Sequence, residues 1–168
     1  MATEQLFFTQ SPAHCFERAF ERIYRERMAG LPICRADIAV RALGFAPFAG
    51  HWLGALVTPW SVLVILAAGD KRAWPEVQIG KIMPVTLPGG AFHFLGMHEP
   101  AMGSFLACSL MSPIERLYRQ KDVENFALKA LNLMMTPSRL SEKSAEPNRS
   151  ALRRRDFFAP EAHEKEGR

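Results

Sequence analysis

Two stretches of the chain repeat apolar side chains with the period of an α-helix. Phe16, Phe20 and Ile23 recur on one face behind Ser11, a residue type whose hydroxyl accepts hydrogen bonds from the first backbone N–H groups of a helix. Residues 122–135 carry a second apolar stripe, with an aspartate at its start and a proline after its end. These patterns predict an N-terminal and a C-terminal helix.

Between the two predicted helices, apolar residues occur in short runs separated by glycine and proline, which is typical of strands. The predicted strands are residues 36–43, 51–57, 61–67, 91–97 and 104–111. The run 61–67 is apolar on both faces, which predicts a central strand covered on both sides by this chain or by a partner. Because the strands are grouped together, we expect the α+β class, with a mainly antiparallel sheet of about five strands and the helices on one face.

Charged residues are distributed unevenly, and residues 42–69 contain no Asp, Glu, Lys or Arg. This stretch is long enough to span a membrane. It is interrupted by several glycines and by Pro47 and Pro59, which fits strands better than a membrane helix. The first ten residues lack the basic start of a secretory signal. We therefore expect a cytoplasmic protein with no membrane span.

The chain of 168 residues is the size of one domain, which we place at residues 11–137. Residues 1–10 are predicted to be a flexible N-terminus, and residues 138–168 a highly charged, disordered tail. The formal net charge of +4 is too small to indicate a nucleic-acid partner. The basic run 153–155 leaves a basic-tailed nucleic-acid-binding domain as an alternative, although this segment is better suited to docking in a protein groove or folding back on its own body.

Sequence motifs for enzymatic chemistry are missing: we find no phosphate-binding loop, no nucleophile elbow and no zinc-protease motif. Cys15, Cys34 and Cys108 form no C-x-x-C pair, which predicts reduced thiols. Cys108 is expected to be a buried residue of a strand. A metal site formed by His98, Glu99 and Cys108 is conceivable, but structural roles are the commoner fate of such residues. We expect no enzyme activity and no cofactor.

Two segments carry more specific strings. Thr58-Pro59-Trp60 is followed by an apolar strand and then by Trp74-Pro75, and the second segment reads Cys108-Ser109-Leu110-Met111-Ser112-Pro113. Both resemble hallmark stretches of the HybE/HupJ family of nickel-iron hydrogenase assembly chaperones. Phe94 lies where that family has it, and Arg154-Arg155-x-Phe157 resembles the family's short C-terminal motif, although the following residues depart from it.

The resemblance implies a non-enzymatic chaperone that holds hydrogenase subunit precursors in the cytoplasm before assembly and export. One implied client is a small subunit with a twin-arginine signal peptide. Some relatives carry a fused rubredoxin, which this chain lacks, so a separate rubredoxin is a further implied partner. The alternative is a small metal- or thiol-dependent accessory protein that protects iron–sulfur assembly in hydrogenase.

A receptor for a twin-arginine signal needs an apolar groove with hydrogen-bond acceptors or acidic groups at its rim. Our hypothesis is that large side chains in the uncharged middle of the chain line such a groove, although each is also a common core residue. The proposed lining residues are Trp60, Trp74, Phe94 and Met111. The other predicted partner-binding residues are Thr58, Pro59, Cys108, Ser109, Ser112, Pro113, Arg154, Arg155 and Phe157.

Overall fold

The computed structural model describes residues 4–138, which contain one β-sheet. In chain order the elements are α1 (Ala13–Ile23), a π-helical turn (Tyr24–Met28), β1 (Arg41–Phe48), β2 (His51–Val57), β3 (Val62–Ala67), β4 (Ile82–Leu87), β5 (Gly90–Glu99), β6 (Gly103–Met111) and α2 (Gln120–Met134). The strands lie in the order β1-β2-β3-β6-β5-β4, and each neighbouring pair is antiparallel. The predicted α+β fold is confirmed, with six strands in place of about five.

The central strand β3 is buried along its whole length. Leu63 and Ile65 pack with α1, whereas Val62, Val64 and Leu66 pack with α2. The chain's own helices therefore cover β3 on both sides. Of the two predicted covers, this chain or a partner, the structure shows the first. The expectation that both helices lie on one face is wrong, because a strand that is apolar on both faces needs a covering element on each.

Two strand predictions also need correction. Strand β4 was not predicted, because Pro84 interrupts its apolar run; proline cannot donate to a strand ladder and is therefore confined to sheet edges, where β4 lies. The first strand begins at Arg41 rather than at residue 36. The preceding residues form a turn, in which the backbone N–H of Ile38 donates to the carbonyl of Arg35 (3.1 Å).

The helix boundaries differ little from the sequence predictions. Helix α1 begins at Ala13, whose backbone N–H donates to the Ser11 hydroxyl at 3.4 Å. Helix α2 begins at Gln120, and the Asp122 carboxylate accepts a hydrogen bond from the backbone N–H of Arg119 (2.9 Å). Asp122 therefore caps the start of α2 by pairing the backbone N–H of Arg119. It does so from within the first turn of the helix and not from the position before it.

The uncharged stretch 42–69 supplies most of the first three strands, and no helix within residues 4–138 is long and apolar enough to cross a membrane. Part of the segment predicted as a flexible N-terminus lies against this sheet. The Phe8 backbone N–H donates to the carbonyl of Ala68, and the Trp52 indole N–H donates to the carbonyl of Phe8, both at 2.9 Å. The predicted tail lies almost wholly outside the described residues.

Candidate functional site

The two faces of the sheet are covered to different extents. We call the face that packs on α2 the closed face, because apolar side chains from β2 to β6 form one cluster with that helix. The other face, which we call the open face, is covered by α1 over β1, β2, β3 and part of β6. Farther out on this face, Leu95 of β5 and its neighbour Ile82 of β4 are 39% and 68% exposed. No helix of residues 4–138 covers that half.

A groove of about 340 Å³ lies at the boundary between the covered and uncovered parts of the open face. Its apolar lining comes from α1, the π-helical turn, the turn between β2 and β3, and strands β3, β5 and β6. It consists of Phe20, Ile23, Met28, Trp60, Leu63, Met97 and Phe105. Its polar lining consists of Arg27, Ser61, His98, Glu99, Ser109 and Ser112. The lining combines aromatic and thioether side chains, which adapt well to apolar ligands.

Trp60 is held in the groove by the turn between β2 and β3. The buried Thr58 hydroxyl accepts hydrogen bonds from the backbone N–H groups of Ser61 (2.9 Å) and Trp60 (3.3 Å), and the Thr58 N–H donates to the Ser61 carbonyl (2.8 Å). The half-buried indole then stacks against Phe20 and Tyr24, with ring centroids 6.2 and 6.4 Å away. Thr58 therefore has a structural role that presents Trp60.

The two motif segments meet at this turn. Strand β3 pairs with β6 from Val62 opposite Met111, and the Ser112 hydroxyl donates to the carbonyl of Trp60 at 3.4 Å. The same turn is tied to the loop before β1, since the Arg35 N–H donates to the Pro59 carbonyl at 2.8 Å. The sheet therefore brings together two segments that lie far apart in sequence.

The charged residues at the rim of the groove are Arg27 and Glu99, which form an ion pair. Arg27, at the end of the π-helical turn, donates to the Glu99 carboxylate at 2.9 Å, and Arg22 lies 3.8 Å from the other carboxylate oxygen. Glu99 is buried, whereas the Arg22 and Arg27 side chains are 47% and 58% exposed. Glu99 is the acidic residue among those that line the groove, so it is the group that a bound cation would meet.

The structure brings some of the predicted partner-binding residues together and separates others. Trp60, Ser109 and Ser112 line the groove. Phe94 is fully buried on the closed face, and Trp74 and Met111 pack against the same cluster, so these three do not share a groove with Trp60. Pro59 is buried in the turn and Pro113 is exposed after β6. Arg154, Arg155 and Phe157 lie outside the described residues.

The three candidate metal ligands, His98, Glu99 and Cys108, do not lie together. Cys108 points to the closed face, whereas His98 and Glu99 line the groove on the open face. Among residues 4–138, no three His, Cys, Asp or Glu side chains are grouped so as to hold a metal ion. Burial raises the pKa of the Cys108 thiol, which favours the protonated, unreactive form and fits the predicted packing role.

Sequence reasoning missed several groove residues. The apolar stripe of the first helix, with Phe20, Ile23 and then Met28, was interpreted as a packing face, and nothing in its spacing shows that these three residues also line a groove. The contact between Arg27 and Glu99 joins residues 72 positions apart and depends on the packing of the π-helical turn against the sheet. No local pattern predicts it.

Comparison with known proteins gives four related findings. A family model described as NiFe-hydrogenase assembly, chaperone, HybE matches residues 11–160. The chain is 31% identical over 114 residues to the Hydrogenase-2 operon protein HybE of Escherichia coli K12, covering 68% of this chain and 70% of that protein. It is 28% identical over 151 residues to the hydrogenase expression/formation protein HupJ of Bradyrhizobium diazoefficiens, covering 89% and 88%. The solution structure of HybE from Escherichia coli superposes with a TM-score of 0.65 at 26% identity, covering 80% of this chain and 83% of that one.

Proposed function

Since the chain belongs to the HybE family of nickel-iron hydrogenase assembly chaperones, we propose that it is a non-enzymatic factor that holds a hydrogenase subunit precursor in the cytoplasm before assembly and export. The observation that carries the proposal is the groove beside Trp60. It combines an adaptable apolar lining with an uncovered stretch of sheet. An exposed apolar surface of this kind is typical of protein-binding sites.

We place the small-subunit precursor with its twin-arginine signal peptide in this groove. Such a signal presents guanidinium groups beside an apolar segment. In the groove, Met28, Trp60 and Met97 suit the apolar segment, and the Glu99 carboxylate suits a guanidinium group because ionised acceptors form the stronger hydrogen bonds. A client guanidinium would replace the exposed Arg22 and Arg27 side chains on the buried Glu99 carboxylate, so that this carboxylate keeps a cationic partner.

The first test is to fill the groove without disturbing the core. Ser109 is exposed on β6 and lines the groove, so Ser109→Arg adds a large charged side chain there. Capture of the small-subunit precursor by the tagged full chain should fall about tenfold or more. Asn125→Arg, at an exposed position of α2 across the sheet, is the matched control and should capture normally. Undiminished capture by a folded Ser109→Arg variant would contradict the proposal.

A second arm identifies the part of the client that is recognised. The same full chain is offered the small-subunit precursor with and without its signal peptide. Loss of capture on removal of the signal supports recognition of the signal peptide. Equal capture of both forms shows that the folded body of the subunit is recognised, which overturns the finer assignment while leaving the chaperone role in place.

A further inference from the structure

The chain leaves its described part close to the uncovered half of the sheet. At the end of α2, the Met134 carbonyl accepts a hydrogen bond from the backbone N–H of Gly89 (2.8 Å), in the turn between β4 and β5. The last described residue is Ser138. The 30 residues that follow therefore start at the β4–β5 turn, next to the edge strand β4, and the path from there to the open face runs around that edge.

These 30 residues contain one short segment that combines guanidinium groups with apolar side chains, the two features of the proposed client. Phe157 and Phe158 are the only aromatic residues after Ser138, and Arg154, Arg155 and Asp156 directly precede them. Elsewhere the sequence from 139 to 168 is dominated by charged and small polar residues. Two adjacent aromatic side chains next to guanidinium groups match the apolar lining of the groove and its Glu99 carboxylate.

We propose that residues 153–158 of this chain occupy the groove in the absence of a client and are displaced when a client binds. This inference rests on the proposed function, because it assigns the same groove to both ligands. The two phenylalanines fill the apolar part beside Trp60. Arg155 and Asp156 present opposite charges to Glu99 and Arg27, so the segment complements both members of the ion pair at the rim.

The connecting chain is long enough for this contact. From Ser138 to Phe157 there are 19 residue steps, which extend to about 60 Å when stretched. A random-coil chain of that length spans on average about 24 Å, whereas the strands that line the groove lie one to three strands, or about 5–14 Å, from β4. A segment on a linker long enough to span to its site acts at an effective concentration on the order of a millimolar. A weak contact would therefore suffice to fill the groove.

The test uses the indole N–H resonances of the three tryptophans in nitrogen-15 NMR spectra of the full chain. In the variant Phe157→Ala/Phe158→Ala, the Trp60 resonance should shift by more than a linewidth. Trp52 bonds to Phe8, and Trp74 packs on the closed face, so these resonances serve as internal references and should stay in place. Leu140→Ala/Leu152→Ala removes two apolar residues outside the segment and should leave all three unchanged.

Client capture provides the second measurement. Removing an internal competitor should tighten binding of the small-subunit precursor about threefold to tenfold, since the groove is no longer partly occupied. An unmoved Trp60 resonance overturns the inference, and so does weaker capture, which would make the tail part of the client site. A Trp60 shift that depends on protein concentration also overturns it, because the segment would then come from a second copy. The proposed function fails on a different result, namely capture that survives Ser109→Arg.

Discussion

The two faces of the same sheet differ in how far helices cover them. On the closed face, β4 and β5 contribute Val85, Leu87 and Phe94 to a cluster that α2 seals. On the open face, the same two strands present Ile82 and Leu95 outward, next to the groove. Neighbouring positions of one strand therefore alternate between core and exposed apolar surface.

This difference shows why hydrophobicity alone does not locate a binding site. Phe94 and Leu95 are both large and apolar and stand next to each other, but only Leu95 is accessible to another molecule. The distinction depends on which helix covers which face. An α1 that extended over β5 and β4 would leave no exposed apolar stretch, and the molecule would have two closed faces.

The largest expected effect comes from comparing these two neighbours directly. Phe94→Ala should lower the free energy of unfolding by about 3–5 kcal/mol, because it opens a cavity in the cluster under α2. Leu95→Ala should cost less than about 1 kcal/mol, since its side chain already meets solvent. Urea denaturation of both variants measures the two values. Equal losses would show that the outer half of the open face is covered in solution.

A smaller effect is expected at the turn that presents Trp60 to the open face. Thr58→Val keeps the side-chain shape but removes the acceptor for the Ser61 backbone N–H, which is then left without its partner in a buried turn. The cost should be about 1–3 kcal/mol by urea denaturation. Thr58→Ser retains the hydroxyl and is the matched control. A Thr58→Val variant as stable as Thr58→Ser would mean that the hydrogen bond does not hold the turn.

Much of the fold was accessible from the sequence because its signals are local. The apolar stripe of α2 and the uninterrupted apolar run of β3 each specify an element and its burial. Strand β4 was missed because Pro84 breaks the pattern that identifies a strand, although the residue tolerates an edge position. The expectation of helices on one face was wrong because β3, which is apolar on both faces, needs a covering element on each, and the sequence of α1 does not show which face that helix covers.

The candidate groove was less accessible from the sequence than the fold was. The resemblance pointed to both segments that meet beside the groove, and Trp60, Ser109 and Ser112 line it. Phe94 and Trp74 were grouped with Trp60 because residue type does not report the face of a strand or loop on which a side chain lies. Arg27 was not singled out and Glu99 was considered only as a metal ligand, because their ion pair exists only once the π-helical turn packs against the sheet.

The smallest expected effect is a pH dependence located at the margin of the closed face. His51 is buried, accepts a hydrogen bond from the Gly69 backbone N–H at its Nδ1 atom (3.2 Å), and lies edge-on to Trp74 with ring centroids 4.9 Å apart. Burial lowers the pKa of His51 below its ordinary value of 6.5, although the Ala73 backbone and the Asp70 carboxylate partly oppose this. The unfolded chain therefore binds a proton at a higher pH than the folded chain does.

It follows that the contribution of His51 to stability is complete above pH 6.5 and is lost as the pH falls through the lowered pKa of the folded state. One such group can change the free energy of unfolding by at most about 1.4 kcal/mol per pH unit. Urea denaturation at pH 7.5 and pH 5 should show that acidification lowers the free energy of unfolding less in His51→Gln than in the unaltered chain. His93→Gln, at an exposed position, controls for the removal of an imidazole. If His51→Gln and the unaltered chain lose the same stability on acidification, the closed face is not sealed at this margin, because a solvated imidazole would titrate alike in both states.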